Sequence, residues 1–371
     1  MSARLMVADS ERDANMLYAT RMFVPDPFIW FEMRGKTCSV MSDLEIDRAR
    51  KQARVDRVLS LSHYQKRLKR EGIKQPRFGD VLSRVLHDFR VRSVEVPSSF
   101  PIGLAKQLRG IRVTVKADPF FPEREIKTPA EIAGLEDAMR LAEEGMRAAV
   151  NVLRLSRIGR GNFLYWRQRR LTAEDVQGVI NATIAGLGGV ASRTIVACGN
   201  QGCDPHESGY GPLRAHATII LDIFPRDTRT GYCGDITRTV VRGRASEAVR
   251  KLYAVVASGQ EIAFRKLRAG VNGREVHGAI QELFTREGYK TGVVRGRMQG
   301  FFHGTGHGLG LEVHERPRVS AVSEELRAGH VVTVEPGLYY WGVGGVRLED
   351  VAVIQRTGAR NLARFPKALE I

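Results

Sequence analysis

The chain has 371 residues, of which 43% are hydrophobic, and it carries a net charge of +17 from 58 basic and 41 acidic residues. This length is natural for two domains with sizeable cores, whereas every apolar run is shorter than the ~18 residues of a membrane span and the N-terminal region lacks the apolar core of a signal peptide. Four scattered cysteines without a C-x-x-C pattern argue against a disulfide framework and fit a reducing compartment, so we expect a soluble cytoplasmic protein.

Basic clusters lie at residues 48–57, 66–74 and 167–170, with few aromatic residues between them to stack on bases. A run of charge is usually a solvated helix face, and we interpret the clusters in this way. Nucleic acid is therefore not an expected partner, and contact with it is the minor alternative.

The sharpest change of composition lies at residues 116–132, where three prolines in KADPFFPEREIKTPAEI bracket a linker. A proline-rich segment of this kind is typical of a domain boundary. We therefore predict a small α/β domain at residues 1–121 and a larger domain at residues 122–371.

Three helices are predicted in the larger domain. The first begins after the linker, because Thr128 as N-cap, Pro129 at the first helical position and Glu131 three residues after the cap form a capping box. Residues 172–185 and 246–267 show apolar residues at helical spacing. These helices would cover the strands of the same domain.

A first strand pair carries two aspartates. The runs TIILDIF at 218–224 and GYCGDITRTVV at 231–241 have the composition of strands, and the polar residues between them indicate a turn. A turn centred at 228–229 places Asp222 opposite Asp235, with Cβ atoms roughly 4.5–5.5 Å apart. Two bare carboxylates that close would repel each other, which predicts a cation between them.

A glycine-rich segment, HGTGHGLGLEVHE, follows at residues 303–315. Its glycines stand at every second position, so the backbone can approach a site closely and His303, His307 and His314 can converge. The segment contains neither G-x-G-x-x-G nor H-E-x-x-H, which excludes the dinucleotide-binding and zincin-helix interpretations.

A second strand pair repeats the construction of the first with glutamates. Residues 331–340 (VVTVEPGLYY) and 346–354 (VRLEDVAVI) flank the turn WGVGG. If that turn is centred on Gly342, Glu335 lies opposite Glu349.

Together the three segments offer four carboxylates and one imidazole, which can hold two metal ions on a rigid sheet. Any one of these residues alone would more often be a solvated surface acid or a satisfied core histidine, and only the set indicates a metal site. An oxygen-dominated shell with one imidazole suits Mn²⁺, Co²⁺, Fe²⁺ or Zn²⁺ better than a thiol-seeking metal. The predicted ligands are Asp222, Asp235, His307, Glu335 and Glu349.

The order Asp, Asp, His, Glu, Glu, with HGTGHGLGLEVHE, TVEPGLY and VRLED around the last three, resembles the pita-bread metallopeptidase family of methionine aminopeptidase, aminopeptidase P, prolidase and creatinase. Residues 8–30 are similar to the opening of the smaller domain in the creatinase and prolidase branch. The resemblance implies an α+β fold. Its pita-bread catalytic domain, an antiparallel sheet covered by helices, would occupy residues 122–371, and a smaller creatinase-like α/β domain would occupy residues 1–121.

The resemblance also implies roles for the metal ligands. Asp222 would chelate one ion, and His307 with Glu335 would complete the shell of the other. Asp235 and Glu349 would bridge both. The bound metals would lower the pKa of water.

Further residues receive catalytic and substrate-binding roles from the resemblance. Glu335 would double as the general base, and His206 and His314 would hydrogen-bond the substrate carbonyl and the tetrahedral intermediate. His303 and Arg347 match positions that line the pocket for the residue after the scissile bond. Arg347 alternates onto the same strand face as Glu349, from which a guanidinium can hold a substrate carboxylate or brace an acidic ligand.

Simpler interpretations compete at several of these positions. His206 lies in NQGCDPHESGYG, which is also typical of a surface loop, and His303 could merely support the glycine-rich strand. We interpret Tyr232, Tyr339 and Trp341 as packing residues.

The implied reaction is hydrolysis of the peptide bond before proline, as in Xaa-Pro dipeptidase or aminopeptidase P. Mn²⁺ is our first expectation for the two ions, with Co²⁺, Zn²⁺ and Fe²⁺ as alternatives, and a small peptide and a second copy of the chain in a homodimer are the implied partners. The family usually places its two aspartates closer together, whereas Ile223, Phe224 and Pro225 extend this turn. Asp227 is a substitute ligand in that turn, but we prefer Asp222.

Two other functions stay open at this point. The first is a hydrolase of the same fold that acts on another amide or on a small molecule, which the altered turn permits. The second is a non-catalytic binding protein on the same scaffold, which we would expect to have lost ligands.

Overall fold

The computed structural model describes residues 2–371. The chain forms two compact units, the first ending at Arg124 and the second comprising Glu125–Ile371. Every helix in the described residues is too short or too polar to cross a bilayer. The four cysteines are unpaired thiols.

The first unit is a six-stranded mixed sheet in the order β4-β3-β2-β1-β5-β6. Alternate residues of the first strand enter different cores, because Leu5 packs with Val81 on one face and Met6 packs with Met16 on the other. The strands are β1 (Ser2–Ala8), β2 (Phe28–Met33), β3 (Lys36–Met41), β4 (Arg57–Ser60), β5 (Ser93–Val96) and β6 (Arg112–Val115), and the helices are α1 (Ala14–Thr20), α2 (Ile46–Gln52), α3 (Leu61–Arg70), α4 (Phe78–Asp88) and α5 (Ile102–Ala105).

The second unit contains the three predicted helices and one more. The capping box at the start of the first is confirmed, since the Thr128 hydroxyl accepts from the Glu131 N–H and the Glu131 carboxylate accepts from the Thr128 N–H. The additional helix begins after the N-cap Asn272, and its buried Val276, Ile280 and Phe284 lie at helical spacing. The helices are α6 (Pro129–Leu155), α7 (Ala173–Gly186), α8 (Glu247–Lys266) and α9 (Gly273–Arg286).

The strands of the second unit pair only in antiparallel ladders. The early strands are β7 (Arg157–Ile158), β8 (Leu164–Trp166), β9 (Arg169–Arg170), β10 (Gly189–Val190), β11 (Ile195–Cys198), β12 (Ile219–Ile223), β13 (Arg226–Asp227) and β14 (Ile236–Val240). The later strands are β15 (Gly292–Val294), β16 (Arg297–Gln299), β17 (Gly306–Gly308), β18 (Glu315–Val319), β19 (Val331–Val334), β20 (Gly337–Tyr340), β21 (Gly344–Arg347), β22 (Asp350–Gln355) and β23 (Gly358–Asn361). Short 3₁₀ turns occur at Pro122–Glu125, Arg160–Asn162 and Gly199–Cys203.

Two sheets bear the candidate site: a three-stranded sheet in the order β11-β12-β14 and a five-stranded sheet in the order β18-β17-β19-β22-β23. A bridge between Thr237 and Glu349 joins them. Helix α8 packs its apolar face against the second sheet, where Val256 and Ala263 share a core with Val332 and Ala352. The predicted antiparallel sheet with helical cover is therefore confirmed.

Three predicted strand boundaries are wrong. The run at 231–241 forms a regular strand only from Ile236, because the preceding residues belong to the turn. The runs at 331–340 and 346–354 are each divided in two, at Pro336 and at Glu349. Proline lacks the N–H that a regular ladder requires, which explains the interruption.

Candidate metal centre

The first acidic hairpin presents its aspartates on one face but not opposite each other. Asp222 pairs with Thr237, so the predicted pairing of Asp222 with Asp235 is wrong. The cause is the turn: Arg226 bridges Cys233 and also pairs with Val190 of β10, which moves the centre of the hairpin by one residue. Moving the centre by one changes the pairing by two and leaves both acids on the same face.

Asp227 has a structural task in this turn. Its carboxylate accepts from the N–H groups of Arg229 and Thr230 at 2.7 and 3.0 Å, and it pairs with the Arg229 guanidinium. The side chain is therefore engaged within the turn, unlike that of Asp222.

The second acidic hairpin has the predicted register. Pairings on both sides of the interruption, Val334 with Asp350 and Gly337 with Arg347, are centred on Gly342, so Glu335 lies opposite Glu349. The N–H groups of the two glutamates point outward to neighbouring segments. Glu335 donates to the Thr305 carbonyl at 2.7 Å and Glu349 to the Thr237 carbonyl at 3.0 Å.

The imidazole of His307 lies among the acids. Its Nε2 is 3.3 Å from Glu335 Oε1 and 3.9 Å from Asp235 Oδ2. Asp235, His307 and Glu349 each offer one ligand atom within 4.8 Å of the others. Because the Gly308 carbonyl accepts from His307 Nδ1 at 3.1 Å, the lone pair is on Nε2 and faces the carboxylates.

Burial and mutual repulsion dominate the electrostatics of the acids. Burial, followed by the charge of Asp222, raises the pKa of Asp235 well above its ordinary value. Burial and then the charge of Asp235 raise the pKa of Glu349 in the same way, and burial raises the pKa of Glu335 to about 7. Burial lowers the pKa of His307, which keeps it neutral as a metal ligand must be. Such a group of acids favours a cation.

Threonines that the sequence analysis missed support the acids. The Thr237 hydroxyl donates to Glu349 Oε2 at 2.7 Å. The Thr333 hydroxyl accepts from the His307 N–H at 3.0 Å and donates to Glu335 Oε1 at 3.3 Å. Each threonine lies two residues from an acid on a strand-like run, and this alternation was the signal that could have identified them.

A chain of hydrogen bonds connects His303 to Asp222. His303 Nε2 accepts from the Tyr339 hydroxyl at 2.8 Å, and that oxygen accepts from Arg347 Nη1 at 3.0 Å. Arg347 Nη2 donates to Asp222 Oδ2 at 2.6 Å, so the guanidinium braces an acid as one of its two predicted roles requires. The interpretation of Tyr339 as a packing residue is confirmed, because its ring is fully buried in a core with Ile195 and Ile220, and its hydroxyl additionally links the two side chains.

Of the three histidines expected to converge, the structure brings two into ring contact. The rings of His307 and His314 meet edge to face with centroids 4.4 Å apart, whereas His303 packs against Phe301 and Phe302. Burial and then the charge of His307 lower the pKa of His314 to about 4. Burial, followed by the charge of Arg347, lowers the pKa of His303 to about 3, whereas His206 is exposed on its loop.

The glycine-rich segment allows the predicted close approach of backbone. A Cβ on Gly306 would lie 1.9 Å from the Thr333 carbonyl oxygen, and one on Gly308 would lie 2.2 Å from the Arg316 carbonyl oxygen. Real Cβ atoms cannot come so close, so His307 lies where it does because both its neighbours are glycine.

Comparisons with known proteins agree with this geometry. The sequence profile of metallopeptidase family M24 matches residues 133–356. The chain is 30% identical over 285 residues to a Xaa-Pro dipeptidase of Pyrococcus horikoshii, covering 75% of each chain, and 31% identical over 267 residues to a Xaa-Pro dipeptidase of Pyrococcus furiosus, covering 71% of this chain and 70% of the relative.

Solved structures share the fold. An X-Pro aminopeptidase from Thermotoga maritima superimposes with a TM-score of 0.81 at 23% identity, covering 100% of this chain and 98% of the other. A prolidase from Pyrococcus furiosus gives a TM-score of 0.79 at 22% identity, covering 98% and 97%. The predicted α+β pita-bread fold is confirmed.

Proposed function

This chain belongs to metallopeptidase family M24, and we propose that it uses two divalent metal ions to hydrolyse the peptide bond before proline, as a Xaa-Pro dipeptidase or aminopeptidase. The observation that carries the proposal is the buried group of four carboxylates and one neutral imidazole. The names of the Pyrococcus relatives support the choice of substrate.

The donor set fits a pair of hard divalent ions. Asp222 Oδ1 is buried and has no hydrogen-bond partner in the described residues, which is costly for a carboxylate unless a cation is its partner. Asp222 would hold one ion, His307 with Glu335 the other, and Asp235 with Glu349 both. Mn²⁺ is our first choice, followed by Co²⁺, Zn²⁺ and Fe²⁺. Bound ions of this kind supply Lewis acidity and lower the pKa of water.

The protein's own side chains would move the protons and hold the substrate. Glu335 would accept a proton from the attacking water and return it to the leaving nitrogen. His314, in contact with His307, would donate a hydrogen bond to the developing oxyanion, and His206 on its exposed loop would bind the substrate carbonyl.

The proline pocket would be formed by His303, Tyr339 and Arg347. Their hydrogen bonds to one another fix the side chains before a ligand arrives, and Phe302 packs beside Tyr339 with ring centroids 5.3 Å apart. Proline has no N–H and a fixed φ, so a rigid, preformed pocket can select it by shape. Because Arg347 is already paired with Asp222, we propose that its role is to brace that acid.

The remaining proposals concern assembly and location. The first unit would be the creatinase-like domain, the protein would act as a homodimer in the cytoplasm on small peptides, and nucleic acid would not be a partner. The presence of all five ligand residues opposes the non-catalytic alternative. Activity on another amide or a small molecule is the second candidate, favoured by the displaced turn between Asp222 and Asp235.

The decisive experiment compares peptides that differ only at proline. We expect protein loaded with Mn²⁺ to cleave Xaa-Pro substrates much faster than matched Xaa-Ala substrates, and metal-stripped protein to cleave neither. A dipeptide Xaa-Pro and a longer Xaa-Pro-Yaa peptide would distinguish dipeptidase from aminopeptidase. Equal kcat/KM for the proline and alanine peptides, or cleavage of neither with metal bound, would overturn the assignment to proline.

A further inference from the structure

A glutamine of helix α8 contacts the backbone at the point where the second acidic hairpin is interrupted. Gln260 is 2% exposed, although its neighbours on the same helix face, Val256 and Ala263, are apolar. Its Nε2 donates to the carbonyls of Val334 and Leu348 at 2.9 and 3.1 Å. These are the residues immediately before Glu335 and Glu349.

Pro336 explains why a side chain is needed there. In the register of this hairpin Pro336 is the partner of Leu348, and the Leu348 N–H still donates to the Pro336 carbonyl at 3.4 Å. The reciprocal bond is impossible, because proline has no N–H. The Gln260 amide supplies the donor that the Leu348 carbonyl would otherwise lack in a buried strand.

The contacts fix both peptide groups that precede the glutamates. In the peptide before Glu349, Gln260 holds the oxygen and the Thr237 carbonyl accepts from the N–H at 3.0 Å. In the peptide before Glu335, Gln260 holds the oxygen and the Thr305 carbonyl accepts from the N–H at 2.7 Å. Each of these two peptide planes is therefore held at both its oxygen and its N–H. This sets the direction in which the side chain of the following glutamate leaves the backbone.

We propose that Gln260 is a positioning residue, whose amide replaces the missing Pro336 N–H and holds Glu335 and Glu349 in the arrangement that receives metal. The inference rests on the proposed function, since it assigns these glutamates to the metal site. Gln260 holds the main-chain carbonyls that precede the two glutamates, so it acts through the backbone.

The test is titration of Mn²⁺ into metal-stripped protein, combined with steady-state kinetics. Gln260→Met keeps the length of the side chain and removes both donors. We expect Mn²⁺ affinity to fall about 10–100-fold, the range for partners that orient metal ligands, and kcat to fall while KM stays within about twofold of wild type. Gln260→Asn keeps the amide but is too short to reach both carbonyls. Its Mn²⁺ affinity and kcat should lie between those of wild type and Gln260→Met.

Two further variants separate positioning from general stability. Val256→Ala removes buried carbon from the same helix face without touching a carbonyl, so it should lower the melting temperature and leave Mn²⁺ affinity unchanged. Adding Pro336→Ala to Gln260→Met restores a backbone donor opposite Leu348 and should recover part of the affinity.

The outcomes distinguish this inference from the proposed function. A wild-type chain that binds no Mn²⁺ would overturn both. Wild-type binding together with equal affinity and kcat in Gln260→Met would overturn the positioning role alone. The positioning role would also be overturned if Val256→Ala, at the same melting temperature as Gln260→Met, lost as much Mn²⁺ affinity, because general destabilisation would then explain the loss.

Discussion

The two acidic hairpins each carry two acids on a strand pair but present them differently. In the second, Glu335 and Glu349 lie directly opposite each other. In the first, Asp222 lies opposite Thr237, and Asp235 is one pleat away on the same face. In the offset pair the residue opposite Asp222 offers a hydroxyl in place of a carboxylate, and Asp235 lies instead with His307 and Glu349.

The offset in the first hairpin couples it to the second. Thr237, the residue that faces Asp222, also donates to Glu349, so the first hairpin supports an acid of the second. Arg347 of the second hairpin in turn pairs with Asp222 of the first. Each hairpin therefore stabilises an acid of the other, and the site depends on the bridge between the two sheets.

The largest effect should come from removing one acid of either hairpin. Asp235→Asn and Glu349→Gln should each lower Mn²⁺ content and reduce kcat/KM by at least about 10³-fold, because a ligand shared by two ions contributes several kcal/mol to the reaction. Metal analysis and peptide hydrolysis measure both effects. Asp227→Asn is the matched control in the first hairpin, since its carboxylate caps the turn, and it should keep both ions. Full activity of Asp235→Asn after exhaustive chelation would contradict the dinuclear site.

The next effect concerns a residue that belongs to neither hairpin. His314→Ala should retain its metals and lose about 10²–10³-fold in kcat, the usual cost of removing a donor to a developing oxyanion. Metal content measured on the same preparation serves as the control. Loss of metal together with turnover would instead identify His314 as a metal ligand.

The sequence predicted what depends on local chemistry. The helix at Thr128 was recognised from residues within one turn of its start, and the register of the second hairpin followed from the short turn around Gly342. The five candidate ligands were identifiable because their residue types recur in motifs. Helix α9 carries the same apolar spacing as the predicted helices, so its local sequence is sufficient to indicate it.

What could not be predicted depends on contacts between distant segments. The register of the first hairpin is set partly by the pairing of Arg226 with Val190, which lies on another strand. Gln260 acts through carbonyls 74 and 88 residues away along the chain, and the Tyr339 hydroxyl meets His303, which is 36 residues away. A glutamine on a buried helix face beside a proline-interrupted strand is the pattern that would have revealed the first.

In metal-stripped protein, Glu335 of the second hairpin should make the stability of the fold depend on pH. In stripped protein burial raises the pKa of Glu335 from 4.5 to about 7, so the folded state binds an extra proton in this window and loses stability relative to the unfolded state as pH rises through it. Glu335→Gln removes this cost. We expect its melting temperature to match that of stripped wild type near pH 4.5 and to exceed it by on the order of 5–10 °C above pH 7. A difference that shrinks with rising pH would have the wrong sign.

The smallest effect tests the coupling between the hairpins. Thr237→Val preserves shape and deletes the hydroxyl that donates to Glu349, while the main-chain bond from the Glu349 N–H to the Thr237 carbonyl remains. A hydrogen bond to a charged group contributes ~1.5 kcal/mol, so Mn²⁺ affinity should fall roughly tenfold. Thr237→Ser keeps the hydroxyl, so its Mn²⁺ affinity should be nearly that of wild type. If the Thr237→Val and Thr237→Ser proteins bound Mn²⁺ equally well, the Thr237 hydroxyl would not couple the first hairpin to Glu349, and the offset in the first hairpin would be a by-product of its turn.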